Sequence, residues 1–130
     1  MSLKNWDNKT WLSSTSYIKS FNEFLLKETQ LNKNSAILDI GCGRGKILGS
    51  LTSRLRLIKK PIGIDIEQHK DRDKRIIFSK IDAINYLKKN RKKFDLILLK
   101  QTIHFLPLKD INKLLFLSKN CLNSGGRIVI

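Results

Sequence analysis

"ILDIGCGRGK", residues 37–46, ends a short apolar run in three glycines placed at every second position. Glycine weakens a strand and bares its backbone, so three of them need a reason. The run before them, Ala36–Ile40, reads as a strand. After them Ile47, Leu48, Leu51, Leu55 and Ile58 recur at helical spacing, which predicts a helix closed by Pro61. The ligand of such a strand–turn–helix is a nucleotide phosphate, a dinucleotide or another kind of nucleoside.

The pattern continues outward. Ser13, Ser14 and Thr15 read as a helix start, and Tyr17, Phe21, Phe24 and Leu25 predict a helix over 15–29. Ile62–Ile66 and Arg75–Ile81 read as the second and third strands. Ala83–Lys92 is a helix with Ile84 and Leu87 inward, and Phe94–Leu99 is a fourth strand. Leu106-Pro107 is a break before a helix over Leu108–Leu122, with Ile111, Leu114, Leu115 and Leu122 inward. Asn123-Ser124-Gly125-Gly126 ends that helix with a left-handed cap, and Arg127–Ile130 begins a fifth strand. Strands apolar on both faces, alternating with helices, make a parallel sheet covered on both sides. Ligands of such sheets sit beyond the C-terminal ends of the strands, where the glycines lie.

A chain of 130 residues, 41% hydrophobic, is one domain with a true core. No apolar run approaches a membrane span and no secretory signal opens the chain, so the cytoplasm is the expected location. Cys42 and Cys121 lack metal-site spacing, so free thiols and no metal are expected. The net charge of +15 implies attraction to nucleic acid or another anionic surface. Its lysines are scattered with asparagine and isoleucine, a pattern that an A/T-rich genome also produces. The densest run, Lys88-Lys89-Asn90-Arg91-Lys92-Lys93, falls where a helix should end, and cations are favoured there.

Three loop chemistries compete for the glycines. A phosphate-binding loop needs glycine where Ile40 stands and a hydroxyl where Ile47 stands. The dinucleotide fingerprint needs glycine where Lys46 stands. What remains is an acid followed by alternating glycines: Asp39, Gly41, Gly43 and Gly45.

"LDIGCGRG" closely resembles the first motif of the class I S-adenosylmethionine-dependent methyltransferases. Further resemblances follow in family order. "IGIDIE" ends the second strand. The family pattern implies that Asp65 accepts from the ribose hydroxyls and that Ile66 packs on adenine. "SKIDAINYL" implies that Asp82 binds the adenine amino group, with the Ala83 backbone against the ring. Asp82 alone also reads as a helix cap. "FDLILLKQTIHFLP" resembles the fourth motif, whose strand end, at Leu99, lies beside the methionine moiety and the acceptor. "CLNSGGRIVI" resembles the helix–Gly–Gly–strand passage. The implied cofactor-binding set is Asp39, Gly41, Cys42, Gly43, Gly45, Asp65, Ile66, Asp82, Ala83 and Leu99. S-adenosyl-L-methionine has no phosphate, so it needs no lysine clamp, and its sulfonium favours nearby carboxylates over lysines.

The resemblance implies an α/β, Rossmann-like, doubly wound parallel sheet of order 3-2-1-4-5 with helices on both faces. Residues 1–35 are expected as an N-terminal helical segment covering the site, and 36–130 as the cofactor-binding domain. Family members usually add strands after the fifth. The expectation here is a C-terminally truncated domain whose uncovered fifth strand invites pairing with another copy.

The implied activity is methyl transfer, with a small-molecule acceptor favoured. Alternatives are an RNA methyltransferase or a shortened, non-catalytic cofactor-binding module; a nicotinamide dehydrogenase ranks third. Leu99-Lys100-Gln101-Thr102 lacks the pattern of amino-methylating nucleic-acid enzymes, and no Pro-Cys marks a cytosine C5 enzyme. No catalytic residue is evident. His104 is the one plausible base near the site, although the favoured reading is a residue that packs and hydrogen-bonds locally. Lys100 either meets an acidic acceptor or points to water. Trp6, Trp11 and Tyr17 either stack over the pocket or form core for the first helix.

Overall fold

The computed structural model describes residues 15–100, 103 and 106–130. Trp6, Trp11 and His104 therefore lie outside the described residues. Among the described residues, α1 (Thr15–Glu28) precedes β1 (Ile37–Ile40), α2 (Lys46–Leu55), β2 (Ile62–Asp65) and β3 (Ile77–Lys80). Then follow α3 (Ala83–Lys89), β4 (Phe94–Leu98), α4 (Leu108–Asn120) and β5 (Leu122–Val129).

The five strands form one sheet of order β3-β2-β1-β4-β5, and every neighbouring pair is parallel. This is the Rossmann-like arrangement expected. The chain reverses direction across the sheet between β1 and β4, which opens a crevice at their C-terminal ends.

Alternating strand residues feed two cores. Ile37, Leu96 and Leu98 pack with Leu25 of α1 and with Leu48 and Leu51 of α2. Leu38, Ile40, Ile64 and Ile97 pack with Leu87 of α3 and Leu114 of α4. Asp39 and Lys100 share parity with the first set, which directs both toward the α1 side of the sheet.

Several boundaries differ from expectation. β3 is an edge strand paired only with β2, and Ile77 is 47% exposed, so it is not apolar on two buried faces. It is also shorter than 75–81, because the Arg75 side chain and backbone turn back onto Asp73. β2 ends at Asp65, leaving Ile66 outside the strand. α2 closes at Arg56, a non-glycine residue at φ 53°, well before Pro61. Ile58 is thus exposed rather than on the helix face, and its N–H donates to the Lys33 carbonyl at 2.9 Å.

α3 stops at Lys89 rather than Lys92. The Asn90 side chain donates to the Lys92 carbonyl and accepts from the Lys92 N–H, a local turn that competes with helix. α4 ends before Cys121, and Leu122 is already strand. Phe94 pairs with Leu122 whereas Leu96 pairs with Arg127, so residues 123–126 bulge out of β5. Gly125, at φ 78°, serves that bulge and not a helix cap. No helix among the described residues is long and apolar enough to cross a membrane.

Candidate functional site

The glycine turn leaves β1 with every glycine in the left-handed region: Gly41 at φ 76°, Gly43 at 57° and Gly45 at 75°. An L side chain is strained at each of these positions, which explains why the sequence spends three glycines there. The Gly41 and Cys42 N–H groups both donate to the Ile64 carbonyl on β2, at 2.9 and 3.0 Å. Gly45 caps α2 with its backbone alone.

Asp65 ends β2 beside this turn. Its Oδ2 accepts from the Gly43 N–H at 2.8 Å, and its Oδ1 accepts from the Glu67 N–H at 3.0 Å. A carboxylate has about four acceptor positions, so both oxygens keep capacity for further donors. Ile66, next in the chain, is 67% exposed and presents an apolar face at the same strand end.

Asp39 is buried at the end of β1. Burial raises its carboxyl to about 7, the Asp65 charge adds to that rise, and the Lys100 ammonium opposes it. Burial also lowers Lys100 to about 8, with Asp39 acting in the opposite direction. The Lys100 Nζ lies over two rings of α1, 4.7 Å from the Tyr17 centroid and 4.5 Å from that of Phe21. Of the two alternatives for Lys100, pointing to water does not describe this position: its ammonium turns inward onto the protein's own rings.

Cys42 packs its sulfur against Gly63 of β2, where a Cβ would approach to 2.8 Å. Burial pushes its thiol up to about 12, reinforced by Asp39 and opposed by Arg72, so it stays protonated and anchors the turn. The side chain of Leu99 is core, and its N–H donates to the Val129 carbonyl at 2.8 Å.

Asp82 lies at the same end of the sheet, since the Ile81 N–H donates to the Asp65 carbonyl at 3.0 Å. It caps α3, which begins at Ala83, by accepting from the Asn85 N–H at 2.9 Å and from its side-chain amide at 2.6 Å. Asn85 thereby holds the exposed Asp82 carboxyl below its ordinary range.

The loop after β2 adds residues that the sequence did not single out. Arg72 stacks 3.5 Å over the Phe78 ring and donates to the Glu67 carbonyl at 2.8 Å. Arg44, inside the glycine turn, donates to both Asp71 oxygens at 3.2 Å. The Arg44–Asp71 pair holds the loop over residues 67–73 against the turn, and Arg72 ties it to β3. No local signal marks them, because each joins separate segments. Among the described residues no group of three or more His, Cys, Asp or Glu side chains is placed to hold a metal ion.

A left-handed glycine turn tied to a strand-end acid, at the crevice of a 3-2-1-4-5 sheet, is the arrangement of a doubly wound α/β domain. Residues 31–130 match the family model described as a methyltransferase domain, and the chain belongs to that family.

A solved SAM-dependent methyltransferase from Archaeoglobus fulgidus is 28% identical, with a TM-score of 0.70 over 87% of this chain and 52% of that one. An S-adenosylmethionine-dependent methyltransferase from Clostridium acetobutylicum is 21% identical, with a TM-score of 0.66 over 97% of this chain and 50% of that one. A SAM-dependent methyltransferase from Thiobacillus denitrificans, in complex with S-adenosyl-L-homocysteine, is 19% identical, with a TM-score of 0.66 over 88% and 47%. The last two share the fold. This chain spans about half the length of these three structures. No curated protein matches it.

Proposed function

We propose that this domain binds S-adenosyl-L-methionine and transfers its methyl group to a small-molecule acceptor. The observation that carries the reading is the hydrogen bond from the Gly43 N–H to Asp65, which brings the ribose acid and the bare glycine backbone into one cradle. The residues present suit the group. Three left-handed glycines let a ligand reach the main chain, Asp39 and Asp65 supply negative charge, and Ile66 offers an exposed apolar face.

In this reading Gly41, Gly43 and Gly45 admit the methionine and ribose portions, and Asp39 sets the field around the amino-acid part. Asp65 holds the ribose through its remaining lone pairs. Ile66, Asp82 and the Ala83 backbone recognise adenine, and the strand end at Leu99 lies beside the methionine moiety. The cofactor supplies a methyl carbon on a positively charged sulfur. The protein contributes chiefly by fixing the two reactants in line. Of the N-terminal segment expected over residues 1–35, residues 1–14 lie outside the described residues, and α1 borders the pocket, supported by the contact of Tyr17 and Phe21 with Lys100. A cytoplasmic location belongs to the same proposal.

Calorimetry with S-adenosyl-L-homocysteine tests the cofactor reading: a saturable, one-to-one isotherm is expected, and its absence from the intact protein rejects the reading. Transfer of label from methyl-tritiated cofactor into a metabolite extract tests turnover. Label appearing only in added RNA would replace the small acceptor with RNA.

A further inference from the structure

Tyr17 and Phe21 stand four residues apart on α1, so their rings share one helix face. The rings lie nearly parallel, 15° apart with centroids 6.1 Å from one another. Lys100 follows β4, and its ammonium sits over both of them. Asp39, from the end of β1, is its carboxylate counter-charge. Two ring faces and a buried acid that ionises near pH 7 form a receptor for one positive charge. The receptor lies at the crevice between the ends of β1 and β4, beside the glycine turn.

A lysine on a surface strand end would extend its ammonium into water. This one lies where the ligand of such a fold belongs. A sulfonium donates no hydrogen bond, so ring faces and carboxylate charge are the contacts it can use. Two unit charges held a few ångströms apart in a half-buried site repel strongly, so the receptor holds one cation at a time.

We propose that Tyr17, Phe21 and Asp39 form an exchangeable cation seat, occupied by the Lys100 ammonium until the sulfonium of S-adenosylmethionine displaces it. This inference rests on the cofactor reading above. Lys100 then acts as an internal competitor that senses the charge of the ligand. The sulfonium form must expel it, whereas the uncharged thioether of S-adenosylhomocysteine leaves it in place.

The test compares these two ligands by calorimetry at pH 7 on the full chain. Lys100→Met keeps a long apolar chain over the rings and removes the charge. It is expected to tighten S-adenosylmethionine about tenfold while changing S-adenosylhomocysteine less than about twofold. Phe21→Leu, which removes a ring face and keeps an apolar side chain, should weaken S-adenosylmethionine about threefold relative to S-adenosylhomocysteine. Thermal melts establish that each variant is folded. Equal shifts for both ligands in Lys100→Met, or weaker binding of S-adenosylmethionine, overturn the exchange. Binding of neither ligand by the unmodified protein instead removes the cofactor reading on which the exchange depends.

Discussion

Asp65 and Gly43 are 22 residues apart in sequence and 2.8 Å apart in space, joined carboxylate to amide. The bond fixes the turn against the end of β2 and positions the acid. Asp65→Asn keeps one acceptor oxygen and loses the charge. S-adenosylhomocysteine affinity is expected to fall more than about tenfold, with a loss of about 1 kcal/mol in stability because a partly buried backbone donor keeps a weaker partner. Unchanged affinity by calorimetry would remove Asp65 from the ribose role.

Asp82 combines two roles that a single substitution separates. Serine caps helices as well as aspartate does. Asp82→Ser is therefore expected to melt within about 1 °C of the unmodified protein, whereas Asp82→Ala loses about 1 kcal/mol. Both variants should bind S-adenosylhomocysteine less tightly, because neither presents a carboxylate to adenine. A serine variant with full affinity would leave Asp82 as a cap only.

Asp39 makes stability depend on pH in a direction unusual for an aspartate. Its carboxyl is raised by burial from 3.8 to about 7, so between those values the folded state holds a proton that the unfolded chain has released. Stability accordingly falls as pH rises from about 4 to 7. Asp39→Asn removes this dependence. The variant should exceed the unmodified protein by about 1–2 kcal/mol at pH 8, the loss of a counter-charge for Lys100 offsetting part of the gain. The advantage should shrink by pH 5. Denaturant melts at the two pH values check this, and an equal difference at both would contradict the assignment.

Gly49 sits inside α2, where alanine would ordinarily gain about 1 kcal/mol of helix propensity. Here an added Cβ would overlap the carboxylate of Asp73, which is buried and paired with Arg75 at 2.7 Å. Gly49→Ala is therefore expected to destabilise by about 2–3 kcal/mol, since the overlap outweighs the propensity gain. A rise in melting temperature would show that Asp73 can move aside.

The sheet and much of the site were legible because their signals are local. Apolar runs of four or five residues sit between helical periods, and the glycines announce a backbone conformation that other residues resist. The strand-end acids could be counted from the turn. Where β5 begins was not legible. Gly125-Gly126 suits a helix cap and a bulge alike, and only the pairing of Leu96 with Arg127 decides between them. The position of Lys100 was hidden for a different reason. Its contacts join residues 17, 21, 39 and 100, and no spacing rule connects an ammonium at one strand end to rings on a helix so distant in sequence. Arg72 on Phe78 and Gly49 under Asp73 belong to the same class.

The Gly41 and Cys42 amides both end on the Ile64 carbonyl, and the Gly43 amide ends on Asp65. The turn therefore borrows two acceptors for three amides from a strand made later in the chain, and its own residues cannot replace them. A nascent chain released only through α2 has the glycines but no cradle. Docking of β2 assembles the pocket in one event, and slow hydrogen exchange at these three amides would serve as its clock.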